Sequence, residues 1–102
     1  MKAFKRLSEV MLEKYGIHVP ISEVGMESII LYKEEFDEKL VPVGVVDHLE
    51  GPIETESASY IDGNGNEHLV ILVEIGCVDP YEVWLLNGEV ISSEFGRVND
   101  VH

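Results

Sequence analysis

The sequence predicts an α+β fold in which two N-terminal helical segments precede an antiparallel sheet of four to five strands, built as a meander of hairpins. Two observations carry this. Apolar residues recur at helical spacing up to about residue 40 and at strand spacing beyond it, and two Asn-Gly turns punctuate the second half. With 102 residues, 45% of them hydrophobic and 26% charged, the chain is expected to form one domain, 1–102, with a core of its own. The single cysteine, Cys77, permits no intramolecular disulfide to support that core.

Residues 3–15 place Phe4, Leu7, Val10, Met11 and Tyr15 on one helical face and Lys5, Arg6, Glu9, Glu13 and Lys14 on the other. Gly16 and then Pro20 stop this helix. Ser22 is placed to cap a second helix whose stripe of Met26, Ile29, Ile30, Lys33 and Phe36 runs on to Leu40. Two features oppose it: Gly25 costs about 1 kcal/mol relative to Ala inside a helix, and residues 28–32 also read as a short strand. Residues 41–46 are apolar and β-branched apart from Pro42 and Gly44, which predicts a strand starting at Pro42 or lying at an edge. Gly51 and Pro52 then mark a loop.

The first hairpin is predicted from residues 57–62, the turn Gly63-Asn64-Gly65-Asn66 and residues 67–75. Its second strand is apolar on both faces over residues 68–73, which places it inside the sheet with cover on each side. The second hairpin joins residues 81–86 to 89–92 through Asn87-Gly88, a type I′ signal that sets Leu86 opposite Glu89 and Trp84 opposite Ile91. Val83, Leu85 and Val90 share one face, assigned to the core. Glu82, Trp84, Glu89 and Ile91 share the other, which is either a layer covered by helices or a half-exposed recognition surface.

Charge narrows the function. Seven Lys and Arg stand against 20 Asp and Glu, for a formal charge of -13. That excludes a nucleic-acid binder acting through phosphate neutralisation and disfavours anionic membrane surfaces. The longest purely aliphatic run, residues 69–73, is far short of a membrane span, and no apolar run follows the basic N-terminal residues as in a signal peptide, so a cytoplasmic location is expected. The imbalance is uneven: residues 1–14 carry a net +2, whereas residues 40–102 carry twelve acids against Arg97 alone. Such a surface favours solubility and attracts basic partners.

No constellation points to catalysis. His18, His48, His68 and His102 lack metal-chelating spacing with one another, and Cys77 has no second cysteine. The stretch from Asp62 to Glu67 has oxygen side chains at alternate positions, as a calcium loop does. However, Glu67 stands where that loop needs Gly, and Val73 where it needs a bidentate Glu. No metal and no cofactor is expected.

The stretch Leu12-Glu13-Lys14-Tyr15-Gly16-Ile17-His18-Val19-Pro20 resembles the opening of the SUKH superfamily of cell-wall regulators and bacterial immunity proteins. Val41-Pro42-Val43-Gly44 corresponds to the first core strand of that family. Ile75-Gly76-Cys77-Val78-Asp79-Pro80, with Asn87-Gly88-Glu89-Val90 after it, is similar to the family's glycine-aspartate turn and following hairpin. The chain departs from the family at Glu34-Glu35-Phe36-Asp37, where an asparagine-glycine pair is usual, and at residues 96–100, where a closing helix is usual. The resemblance implies a non-catalytic binding protein, an immunity protein that neutralises a basic, nuclease-like toxin.

The expected partner is therefore a basic protein, met by a carboxylate-rich face. Trp84, Glu82 and Glu89 form its centre, the loop acids Asp47, Glu50, Glu54 and Glu56 come second, and Asp79 and Tyr81 third. The competing expectations are a metal or small-molecule site using His48, His68 or the Asp62 loop, and a homo-oligomer joined through the Trp84 face.

Overall fold

The computed structural model describes residues 2–76 and 80–95; Cys77, Asp79 and the stretch after residue 95 lie outside the described residues. Helix α1 (Lys2–Tyr15) is followed by β1 (Gly25–Leu31), a one-turn helix α2 (Val43–Val46), β2 (Ile53–Ile61), β3 (Glu67–Val73), β4 (Tyr81–Leu86) and β5 (Glu89–Phe95). The strands form one antiparallel sheet in the order β1-β2-β3-β4-β5. The chain is thus α+β, with a long helix first and the sheet after it.

Helix α1 buries Ala3, Leu7, Val10 and Met11, a stripe at spacings of three and four, against Ala58, Val70, Leu72 and Trp84 on one sheet face. The opposite face carries Ile53, Val73, Tyr81, Val83 and Leu85, closed over by Val41, Val45 and Val46. β3 sits third of five and contributes to both clusters, as its unbroken apolar run predicts.

The second predicted helix is instead β1, flanked by two 3-10 turns, Ile21–Glu23 and Lys33–Glu35. Gly25 disfavours the helix, β-branched Ile29 and Ile30 favour the strand, and pairing from Gly25↔Ser59 to Leu31↔Ile53 supplies the ladder that decides between them. The strand expected over residues 41–46 is also corrected. Pro42 lacks the N–H a ladder needs, and Leu40 N and Val41 N both donate to Asp37 O, turning the chain into α2 so that Val45 and Val46 join the cluster on the face opposite α1.

Both hairpins form. Asn87 (φ 52°) and Gly88 (φ 84°) take the left-handed conformations of a type I′ turn, and Leu86 faces Glu89 as expected. The predicted Trp84–Ile91 pair does not form. A bulge between Trp84 and Leu85 makes Ile91 an extra residue, so Trp84 faces Ser92.

At the β2–β3 turn, Asp62 Oδ1 accepts the Asn64 N–H (2.8 Å) and the Asn66 N–H (3.0 Å), while Oδ2 bonds His68 Nε2 at 2.8 Å. These hydrogen bonds, the one from His68 first among them, hold the Asp62 carboxyl below its ordinary value of 3.8. Because the folded chain holds this proton less tightly than the unfolded one, the resulting stabilisation is complete above the usual carboxylate range and is lost as the pH falls through the folded-state value. Asp62→Asn is therefore expected to lower stability at neutral pH and to reduce the loss of stability on acidification; urea melts at pH 7 and pH 3 measure both. A variant with the parent's full acid sensitivity would show that Asp62 does not contribute to it.

Candidate functional site

Two of the three residues expected at the centre of the carboxylate face, Trp84 and Glu82, lie inside the molecule. Trp84 is 9% exposed and packs beneath α1, and its Nε1 donates to Glu82 Oε1 at 3.1 Å. The other Glu82 oxygen accepts from Arg6 Nε at 2.8 Å, and the two side chains keep only 6% and 16% of their surface in solvent. Tyr81 is buried in the cluster on the opposite face. The face holding Glu82 and Trp84 is thus the layer covered by the helix, and its carboxylate is engaged by Arg6 instead of offered to a partner.

The helix cations account for part of the charge asymmetry. Lys2 Nζ meets Glu74 at 2.9 Å, and the Ala3 N–H donates to Glu56 Oε1 at 3.3 Å. The basic N-terminal segment therefore lies over Glu56 of β2, Glu74 just past β3 and Glu82 of β4, and the carboxylate at its first turn is favourable to the helix dipole.

The remaining predicted residues are scattered. Glu54 is exposed on β2 beside the α1 end, Glu89 is exposed at the β4–β5 turn, and Asp47 and Glu50 are exposed in the loop after α2. Lys33 Nζ reaches Asp47 O at 3.1 Å and Glu50 at 3.6 Å. Asp79 lies outside the described residues.

The histidine candidates do not assemble either. His48 stands exposed 3.8 Å from Asp47, while His68 is buried, bonded to Asp62 and edge-on to Tyr15 with ring centroids 5.1 Å apart. Asn66 Oδ1 accepts from Asn87 Nδ2 at 3.1 Å, so the oxygens of the calcium-like loop tie the two turns together. Among the described residues, no three His, Cys, Asp or Glu side chains meet in a way that holds a metal. No helix of these residues is long and apolar enough to cross a membrane.

A different site stands out. A cleft of about 260 Å³ opens between the outer half of the sheet and the segment leading to α2. Ile29 and Leu31 of β1, Ile71 of β3, and Phe36, Leu40 and Val41 of the covering segment make its apolar walls, while Glu27, Glu35 and Asp37 supply carboxylates. Alternation places Thr55 on the same sheet face as Ile53 and Ser57, so its side chain points into this cleft. Thr55 is 5% exposed, and its Oγ1 is the buried side-chain polar atom that has no hydrogen-bond partner among the described residues.

A buried hydroxyl without a partner costs about 1–3 kcal/mol. Such a group in an otherwise apolar wall is accounted for when something outside the chain completes it.

The acids are set locally. Glu35 Oε2 accepts the Tyr32 N–H at 2.7 Å in a reciprocal cap of the 3-10 turn, and Asp37 Oδ1 accepts the Lys39 N–H at 2.9 Å. Each carboxylate retains a second oxygen for a ligand. Low-dielectric walls beside these charges strengthen the attraction for a cation over its value in bulk water. The lining sets carboxylates and hydroxyls beside apolar walls, an arrangement able to hold an apolar group bearing positive charge.

Sequence reasoning missed this site because Glu27 and residues 34–37 were assigned to a helix. The available signal was the acid run Glu34-Glu35-Phe36-Asp37-Glu38 around one aromatic residue. No family model matches this chain, and no curated protein and no solved structure is significantly similar to it.

Proposed function

We propose that this protein is a non-catalytic binding protein that captures a basic protein partner, with the cleft beside β1 receiving a lysine or arginine side chain. The observation that carries this reading is the unpartnered Thr55 hydroxyl in an apolar cleft flanked by Glu27, Glu35 and Asp37. The apolar walls suit the methylene stem, the carboxylates suit the cationic head, and the -13 charge accelerates the approach of a basic surface. The resemblance of the opening and hairpin motifs to the SUKH superfamily supports a narrower form, a toxin-neutralising immunity protein.

The test uses n-butylammonium, a mimic of the lysine side chain, against butyrate, which has a similar stem and the opposite charge. Amide shifts in the labelled chain should place the ammonium at Ile29, Thr55 and Ile71 with an affinity on the order of millimolar, as suits so small a ligand, and at least tenfold tighter than butyrate. Equal or tighter binding of butyrate overturns the reading. Thr55→Val keeps the volume and removes the orphaned hydroxyl, so it should raise stability by about 1 kcal/mol and weaken the ammonium several-fold. A valine variant that is no more stable than the parent would refute the assignment of an unsatisfied group at this position.

A further inference from the structure

Among the described residues strand β1 ends the sheet, and six of its seven residues are exposed. The register shows which of its backbone groups are free. Glu74 N donates to Glu54 O, so Glu54, and by alternation Glu56 and Ala58, direct their backbone groups toward β3. Thr55, Ser57 and Ser59 therefore direct theirs toward β1, where they meet Ile29, Glu27 and Gly25. Met26, Ser28 and Ile30 are left with N–H and C=O groups pointing out of the sheet, repeating about every 6.8 Å.

Sheet edges are normally protected by lysine, proline, a bulge or a covering segment. β1 contains neither lysine nor proline and pairs with β2 without a bulge. Met26, Ile29 and Ile30 are exposed along it, and Glu27 is its single charge. Glu27, Ile29 and Leu31 also line the acidic cleft, so the open edge and the cleft form one continuous surface.

We propose that the basic partner adds an extended segment to this sheet as a sixth strand, antiparallel to β1 and bonded to the backbone of Met26, Ser28 and Ile30. This rests on the reading of the cleft as the site of a basic partner. Side chains of the added strand alternate, so residues opposite Glu27 and Ile29 emerge on the cleft side: a cation suits the first and an apolar group the second. A second copy of this chain fits less well. Pairing two β1 edges would bring together Glu23, Glu27, Glu34 and Glu35 of both copies, in chains of charge -13 each.

Amide hydrogen exchange on the full chain tests this with a capped seven-residue peptide whose first, third, fifth and seventh residues, which share one face, are lysine, valine, lysine and valine, with threonine between them. The comparison probes are the same peptide with glutamate for lysine, and the lysine peptide with N-methyl groups on alternate amides, which keeps its charge but removes its pairing donors. The lysine peptide should slow exchange at Met26, Ser28 and Ile30 at least tenfold and leave Glu27 and Ile29, already bonded to β2, nearly unchanged. N-methylation, or Ser28→Pro in the protein, which deletes one outward N–H, should weaken binding at least tenfold.

Binding of the lysine peptide without protection of those three amides, or equal binding of the N-methylated peptide, overturns strand addition while the reading of the cleft stands. Absence of any preference for the lysine over the glutamate peptide overturns both. Self-association that strengthens in Glu27→Lys identifies a second copy as the occupant and likewise overturns the proposal.

Discussion

Trp84→Ala is expected to destabilise the chain by about 4 kcal/mol, the middle of the range for removing a large aromatic side chain from a core. The indole lies between β4 and α1, in the cluster that includes Leu7, Val10, Met11, Val70 and Leu72. Truncation would leave a void beneath the helix and strip Glu82 Oε1 of its indole donor. Trp84→Phe separates the two effects: it restores most of the apolar volume but not the N–H, and should cost about 1–2 kcal/mol. Urea unfolding followed by circular dichroism measures both variants without relying on the fluorescence of the lone tryptophan. A change below about 0.5 kcal/mol for the alanine variant is what a surface anchor would show, and it would put Trp84 outside the core.

Arg6→Ala should cost about 3 kcal/mol. Removing one partner of a buried ion pair leaves the other charge uncompensated at roughly 3–5 kcal/mol, and the low end applies because the Arg6 side chain keeps 16% of its surface in water. The loss arises at Glu82, which is nearly out of solvent, and the second variant is chosen to show this. Glu82→Gln removes the charge while keeping an oxygen for the Trp84 N–H, so Arg6→Met combined with Glu82→Gln should recover most of the stability lost in Arg6→Met alone. If the double variant is as unstable as the sum of the single ones, the two residues are not coupled and the pair does not hold α1 to the sheet. Lys2→Ala, which removes a pair whose lysine is mostly in solvent, should leave stability nearly unchanged in the same urea melts.

The burial of Trp84 and Glu82 is not legible in the sequence. Along β4, residues alternate between faces, and alternation correctly separates Glu82 and Trp84 from Val83 and Leu85. It does not say which face a helix covers. Here both are covered, by α1 on one side and by the segment ending in α2 on the other, so all four residues are buried. A buried glutamate in a strand has no sequence mark that distinguishes it from an exposed one, because its partner, Arg6, is 76 residues away.

The cleft was hidden for a related reason. Residues 22–40 carry both a helical stripe and a strand alternation, and β1 forms because β2 offers a ladder from Ile53 to Ser59. Once β1 is a strand, Glu27 and Ile29 fall on the face that Phe36 and Leu40 close over, and Thr55 lies beneath them. The acid run around Phe36 was visible as charge, but its direction toward the sheet depended on the turn at Asp37.

What sequence alone determines in this protein is whatever short-range physics specifies. The α1 stripe follows from helical periodicity, the β4–β5 turn from two residues able to adopt positive φ, and the central position of β3 from a run with no polar side. Its total charge and the concentration of acids after residue 39 are likewise properties of composition. Long-range packing settles the rest: whether residues 25–31 pair as a strand, which carboxylates the helix cations neutralise, and which remain beside an open edge and an apolar cleft. Each of those outcomes turns on a neighbour distant in the chain, and the burial that makes the interaction strong exists only once the chain has folded.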